Sequence, residues 1–280
     1  MAKHLFHHAL AQMNALPRLD NIPGTYKLDK NEHGSDINPA MKARVLQHLA
    51  KSEWNRYPSL NYQYIETRLS EYCHLNEGEI VLAPGAASIL AALLNYFAIN
   101  KLNIKIIQPS YAFLNYHCTA YNIPYTALWL DENFEYDKTS IPPLDEESVL
   151  ILASPNNPTG SSISINKLKQ ILIKHPKSLI ILDAVYQEYG AVDYATLVSE
   201  FDNLILIRSF SKAFPAAGVR LGYLCAQIQL AEKLRKLILP YSINHFALAY
   251  AYSLFENIAF FNTERAKIGQ IITIRNEFYD

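Results

Sequence analysis

Glycine is scarce in this chain, 9 of 280 residues, where soluble proteins carry about 7%. Each glycine that is present therefore invites a question about its backbone. Cysteine is scarcer: Cys73, Cys118 and Cys225 lie far apart and are the only three. They cannot form a dense disulfide framework and suggest reduced, cytoplasmic thiols. Neither sign of charge dominates. Lys and Arg number 25 against 26 Asp and Glu, a net charge of −1, which gives no strong pull on phosphate backbones and disfavours a general nucleic-acid binder. No apolar run approaches the roughly 20 residues of a membrane span. The N-terminus lacks the apolar core of a secretory signal, and there is no internal repeat or low-complexity tract.

What the chain does contain is apolar surface to bury. Half of its residues are hydrophobic and 18% are charged, which rules out a disordered chain. Tyrosine is plentiful at 19, and its ordinary use is as core and interface filler with a hydroxyl handle. At about 100–200 residues per domain, the length allows one large domain or one plus a fragment.

Residues 1–35 mix His, Pro and polar residues and are expected to form an N-terminal arm. His4, His7 and His8 match no motif there and suit a solvated arm, so no metal site is expected. A helix is expected from Pro39, placed at its first position after Asn38, and another over 62–72. Strands and helices then alternate. Short apolar runs predict strands over 79–83, 104–108, 148–153, 179–182, 204–207 and 219–225. Helices are predicted over 86–98, after Ser110 to about 121, and over 166–174. Continuous β-branched runs separated by helices indicate buried, mostly parallel strands with helices on both faces, an α/β fold. Residues 36–240 would form a large domain. Beyond 228 the pattern is helical, with helices expected over 228–258, broken at Pro240, and over 262–278. Residues 241–280 would begin a C-terminal small domain, truncated in this chain.

Ligands of such sheets bind beyond the carboxyl ends of the strands, so the residues there carry the functional argument. After the first strand, Pro84-Gly85-Ala86-Ala87-Ser88 opens a helix, whose free N–H groups make an anion seat. After the second comes Tyr111, a ring able to lie over a planar ligand. After the third, Ser154-Pro155-Asn156-Asn157-Pro158-Thr159-Gly160 forms a rigid loop that can hold an Asn donor, with X-Pro bonds at 154–155 and 157–158 that could be cis. After the fourth comes Asp183, a carboxylate ending an apolar strand and costly there unless paired. After the fifth comes Lys212 among Ser209 and Ser211, with Arg220 following, a lysine placed for a Schiff base. Each alone also reads as a turn, core packing, a salt bridge or an exposed lysine. Together they supply a phosphate seat, a stacking ring, an oxygen donor, a buried carboxylate and a nucleophilic amine, the requirements for holding pyridoxal phosphate.

With these residues assembled, the chain resembles the fold-type-I, pyridoxal-phosphate-dependent aminotransferases, and within them the histidinol-phosphate aminotransferase branch. The similarity rests on LDKNEHG at 28–34, NRYPSL at 55–60, SPNNPTG at 154–160, LDAVYQEYG at 182–190, RSFSKAFPAAGVRLGY at 208–223 and PYSIN at 240–244. It implies the transferase fold of that family and a transamination between an amino acid or an amino-phosphate such as histidinol phosphate and a 2-oxo acid. Decarboxylation of a phosphorylated amino acid on the same scaffold, or a catalytically impaired homologue, are the alternatives.

The resemblance also assigns roles. Lys212 would bond covalently to the cofactor and move the substrate's proton. Asp183 would pair with the ring nitrogen, Tyr186 and Asn157 with the ring hydroxyl, and Tyr111 with the ring face. Ser209, Ser211, Arg220 and the amides of Ala86 and Ala87 would hold the phosphate. Tyr57 would reach the phosphate of a neighbouring subunit, which implies a homodimer, and Asn31 would lie near the substrate. Family members continue to a C-terminal arginine that grips the substrate's carboxylate or phosphate. Arg235, Arg265 and Arg275 do not match it and are expected as surface charge.

Overall fold

A computed structural model describes residues 7–15, 28–139 and 141–279. His4 and much of the expected arm lie outside the described residues. Within the arm, His7 caps a short helix, α1 (His8–Gln12), and its ring meets the Ala120 carbonyl at 2.9 Å. Two helices follow, α2 (Pro39–Lys51), capped by the Asn38 side chain with Pro39 in its first turn, and α3 (Gln63–Cys73).

The alternating part begins with β1 (Ile80–Ala83), α4 (Ala86–Ile99), β2 (Asn103–Gln108), α5 (Ala112–Ala120) and β3 (Thr126–Trp129). It continues with β4 (Ser148–Ala153), α6 (Ile165–Lys174), β5 (Leu179–Asp183), β6 (Leu204–Ser209) and β7 (Gly222–Cys225). The helices α7 (Ile228–Arg235), α8 (His245–Phe255) and α9 (Ile258–Tyr279) complete the described chain.

The seven strands form one sheet in the order β1-β7-β6-β5-β4-β2-β3. All pairs are parallel except the two that β7 makes with β6 and β1. Strand residues alternate between two buried layers, as a period of two requires. Leu150, Leu152, Ile180, Leu182, Leu204 and Leu206 face a core closed by α2, α3, α6 and α8. Val149, Ile151, Ile181, Ile205 and Ile207 face a second core closed by α4, α5 and α7. Helices therefore cover both faces, and the inner strands are apolar on both sides.

Two features depart from the expected pattern. β3 was not among the expected strands: Ala127, Leu128 and Trp129 are apolar, yet three of its four residues are exposed at the sheet edge, and pairing with β2 makes it a strand. The last strand begins at Gly222 rather than 219, because Arg220 adopts φ +59°, a left-handed backbone incompatible with a strand. The break expected at Pro240 is present: α7 ends at Arg235 and α8 starts after Asn244, whose side chain caps it.

Register decides what meets at the sheet's edge. Gly222 stands opposite Ala83 on one side and Ser209 on the other. Asp183 stands between Ala153 and Ile207. The ends of β1, β4, β5 and β6 and the start of β7 are thus side by side, and the loops they carry converge.

Candidate active site

The β6–β7 connection carries Lys212. Its Nζ donates to the Lys30 carbonyl at 2.6 Å and sits 5.8 Å from the centre of the Tyr186 ring. Burial pushes the ammonium's pKa down and Arg220 acts in the same direction, against Glu32 and Asp183, which favour the charge. A depressed lysine pKa raises the share of neutral, nucleophilic amine.

Asp183 ends β5 and is buried, 7% exposed. Burial pushes its carboxyl up to about 6, although the Val185 N–H donates to Oδ1 at 3.2 Å and the Lys212 charge favours ionisation. Among the described residues no Lys, Arg or His forms an ion pair with it. A buried carboxylate in this state is stabilised by a cation brought to it.

Tyr186 begins the turn after β5. Its Oη accepts from Asn31 Nδ2 at 3.0 Å, and burial raises its pKa. Tyr111, just before α5, has its hydroxyl's pKa raised first by burial and then by the Asp183 charge. In the 154–160 loop the two asparagines divide their work. Asn156 is buried and donates from Nδ2 to the Pro109 carbonyl and to Thr159 Oγ1, both at 2.9 Å. That ties the loop to the end of β2 and leaves Asn157 lining the cavity with Asn31 and Tyr186. The peptide bonds before Pro109, Pro155 and Pro158 are cis, two of them the bonds singled out in the sequence.

The other end of the crevice is a cradle. Gly85, at φ +91°, offers no side chain to cap α4, so the first amides of that helix are left for a ligand. A Cβ on Gly85 would stand 2.9 Å from Arg220 Nη2, and one on Gly222 would stand 2.8 Å from the Ala86 nitrogen. Arg220 Nη1 donates to Ser211 Oγ at 3.4 Å and to the Ala217 carbonyl at 3.0 Å, and the Ser211 N–H donates to Ser209 Oγ at 3.1 Å. A guanidinium, two hydroxyls and a helix N-terminus pressed together by two glycines suit a phosphate group. An anion cradle at one end and an uncompensated buried carboxylate beside a neutralisable lysine fit pyridoxal phosphate.

Of the residues singled out in the sequence, Tyr57 alone stands apart. It is 79% exposed and rests on the Tyr241 ring with centroids 4.7 Å apart. Several useful residues were not singled out. Tyr189 Oη donates to the Lys212 carbonyl at 2.9 Å and holds the lysine loop in place. Beneath it Arg208 Nη2 donates to Glu188 Oε1 at 2.6 Å in a pair buried on both sides. Glu188 and Tyr189 lie within the quoted 182–190 motif, which was the available signal. Arg235 pairs with Glu66 at 2.7 Å and Arg265 lies over the Tyr72 ring. Arg275 is exposed as expected, yet it lines the cavity of about 420 Å³ shared by Asn31, Asn157 and Tyr186.

Comparison with known proteins agrees with this geometry. The family model for aminotransferase class I and II matches residues 24–280. A histidinol-phosphate aminotransferase from Pyrococcus furiosus is 29% identical over 266 residues, covering 92% of this chain and 77% of that protein. Among solved structures, histidinol-phosphate aminotransferase from Sinorhizobium meliloti in complex with pyridoxal-5'-phosphate superposes with a TM-score of 0.70 at 18% identity, over 86% of this chain and 67% of that one. L-threonine-O-3-phosphate decarboxylase from Porphyromonas gingivalis reaches 0.69 at 19% identity, over 82% and 69%. The match of the family model across nearly the whole chain, on a sheet whose strand ends gather an amine, a carboxylate and an anion cradle, makes this chain a member of the class I and II aminotransferases, a pyridoxal-phosphate-dependent transaminase.

Proposed function

We propose that the chain moves an amino group between an amino-phosphate such as histidinol phosphate, or a related amino acid, and a 2-oxo acid. The observation that carries this reading is that Asp183, ending β5, and Lys212, on the β6–β7 connection, each bear on the other's charge. One is a buried carboxyl pushed up to about 6 and the other an amine whose pKa burial lowers. When bound, the cofactor supplies an electron-withdrawing ring and the carbon that carries the amino group. Asp183 would face the ring nitrogen and favour its protonated form. At an effective dielectric near 20, close opposite charges attract by about 4 kcal/mol, which is about three pKa units. Tyr186 and Asn157 would donate to the ring hydroxyl, and Tyr111 would cover the ring face. Ser209, Ser211, Arg220 and the Ala86 and Ala87 amides would grip the phosphate. Lys212 Nζ would take the proton from the substrate's Cα and return it, as base and then acid. The similarity to the Pyrococcus enzyme supports histidinol phosphate as the amino donor.

The reading extends to assembly. Tyr57, exposed on the far side of the Tyr241 ring, would reach the phosphate end of the site in a second copy, and the chain would work as a homodimer. The division into an arm over 1–35, a large domain over 36–240 and the beginning of a small domain over 241–280 is part of the same reading. The irregular stretch between α7 and α8 supports the last boundary. No helix among the described residues is long and apolar enough to cross a membrane. Cytoplasmic residence is supported by three free, buried cysteines.

The test is spectroscopic. Protein loaded with pyridoxal phosphate and mixed with histidinol phosphate, without any 2-oxo acid, is expected to convert to the aminated cofactor in one stoichiometric turnover. Product forming continuously without an acceptor would point to decarboxylation or another lyase reaction instead. Lys212→Ala is expected to lose at least about 10⁴-fold in turnover, since proton transfer by a positioned side chain alone contributes 10²–10⁴-fold. A variant that retained full turnover would remove Lys212 from the mechanism.

A further inference from the structure

Glu188 and Arg208 form an ion pair with 2.6 Å between Oε1 and Nη2 and side chains 7% and 4% exposed. Among the described residues no other ion pair is buried on both sides. Arg208 faces two rings, its Cζ 5.9 Å from the centres of both Tyr72 and Tyr223. Tyr72 Oη donates to the same Glu188 Oε1 at 3.3 Å. Yet Glu188 Oε2 and Arg208 Nε, both buried, have no hydrogen-bond partner. A buried ion pair typically adds little stability over well-packed apolar side chains of similar volume, and an orphaned polar atom on each partner raises its cost. Stability therefore does not account for this pair, whereas its place in the chain does. Glu188 lies in a short helical turn, Gln187–Tyr189, between two tyrosines that bear on Lys212. The Tyr186 ring centre is 5.8 Å from Lys212 Nζ, and Tyr189 Oη donates to the Lys212 carbonyl at 2.9 Å. Arg208 lies in β6 opposite Tyr223 of β7, directly before Ser209. The pair thus fastens the turn that carries both tyrosines to the strand that leads into the lysine loop.

We propose that Glu188 and Arg208 are positioning residues: their ion pair holds the Tyr189 hydroxyl against the Lys212 carbonyl and so sets how readily the lysine amine meets the cofactor. The inference rests on the aminotransferase reading, in which Lys212 is the amine that bonds to the cofactor. Apolar contact has no direction, so it would let the turn slide along β6. A hydrogen-bonded charge pair has a fixed geometry and does not. Burial, and then the Glu188 charge, push the Tyr189 hydroxyl up to about 12, so it remains a donor throughout the neutral range. The Tyr189 hydroxyl is thus always able to make the bond that the pair aims.

The test adds pyridoxal phosphate to the full, cofactor-free chain and follows by absorbance the rate at which it bonds to Lys212, the amine adding to the aldehyde with loss of water. Borohydride reduction and peptide mass identify the bonded lysine, and thermal unfolding of the empty chain reports stability. Tyr189→Phe removes only the hydroxyl and is expected to slow bonding by about two- to tenfold, the scale of one hydrogen bond, with little change in unfolding midpoint. Glu188→Gln keeps an acceptor for Arg208 and Tyr72 but leaves the guanidinium charge unmatched. It is expected to slow bonding by a similar factor and to lower the midpoint by about 5–10 °C. Combined, the two substitutions are expected to slow bonding by less than the product of their separate effects, because they break one connection. Adding Arg208→Met to Glu188→Gln removes the second charge and is expected to recover most of the midpoint and none of the rate. A pair that serves only the fold would recover both together, and that result overturns the proposal. Full bonding rates in Tyr189→Phe or in Glu188→Gln overturn it as well, as does slowing by the full product in the combined variant. These three comparisons decide even where the variant lacking both charges does not fold. Failure of the aminotransferase reading is seen separately, as an unmodified chain in which no bond forms at Lys212.

Discussion

The two ends of the crevice are built in different ways. The cradle end is made of strand ends and backbone. Ala83, Gly222 and Ser209 stand in one register row, the amides of α4 face the gap, and Arg220 is locked into a left-handed turn between them. The other end is made of side chains that arrive from far along the chain. Asn31 meets Tyr186 across 155 residues, and Arg275 meets Tyr189 across 86. The first kind of site is anchored in the sheet, because Ala83, Ser209 and Gly222 are paired in its ladder. The second depends on exposed side chains held by one or two bonds each, and it can change without disturbing the fold. A family that shares one cofactor and takes many substrates is expected to divide its site in this manner.

The largest effect expected from this contrast is at Asp183. Its carboxyl is pushed up to about 6 from an ordinary 3.8. Between those values the folded chain keeps a proton that the unfolded chain has released. The cofactor-free protein should therefore lose stability as pH rises from about 4 to about 6, by about 3 kcal/mol in all. Asp183→Asn should remove that loss and make the empty protein more stable at neutral pH, as read by denaturant unfolding across pH. The same substitution should weaken cofactor binding by about 10²–10³-fold, the loss of an ion pair worth about 4 kcal/mol at most. An empty protein whose stability is flat between pH 4 and 6 would show that the carboxyl is not held in this state.

Gly222→Ala tests the cradle as a backbone device. The added Cβ would stand 2.8 Å from the Ala86 nitrogen and 3.0 Å from the Arg208 carbonyl oxygen, both fixed main-chain atoms. Overpacking of this kind costs about 1–3 kcal/mol, so a lower unfolding midpoint and weaker cofactor binding are expected together. A change in cofactor affinity with no change in stability would mean that the cradle is looser than the sheet.

Asn31→Ala probes the other end and should be the mildest. It removes one hydrogen bond to Tyr186 Oη, worth about 0.5–1.5 kcal/mol. The half-saturating substrate concentration is expected to rise by about two- to tenfold while cofactor affinity holds. If it weakens the cofactor as much as Asp183→Asn does, the two ends are one unit and the distinction drawn between them is wrong.

The cradle end was also the more legible one in the sequence. Short apolar runs at 148–153 and 204–207 announce buried parallel strands, and parallel strands bring their carboxyl ends to one side. Residues following such runs, Asp183 and Lys212 among them, are thereby placed near one another before any contact is known. The edge strand β3 was not legible because its exposed residues carry no period. Glu188 and Arg208 were not legible as a pair, since a buried ion pair leaves no mark on spacing. Arg275 is exposed, as expected of surface charge, and its place in the cavity wall was not legible because it depends on where α9 packs.

What the sequence determined by itself is the alternation of strand and helix, the identity of the groups at the strand ends, and through its motifs the family. These are local properties, set by apolar periodicity and by loop chemistry over a few residues. What only the tertiary structure decided is which side chains from the 28–34 segment and from α9 close the crevice, and that the strand carrying Gly222 runs against its neighbours. Those outcomes depend on long-range packing, where the gain comes from burying α8 and the start of α9 against the sheet, and no local pattern records where a folded-back helix will set down its last arginine.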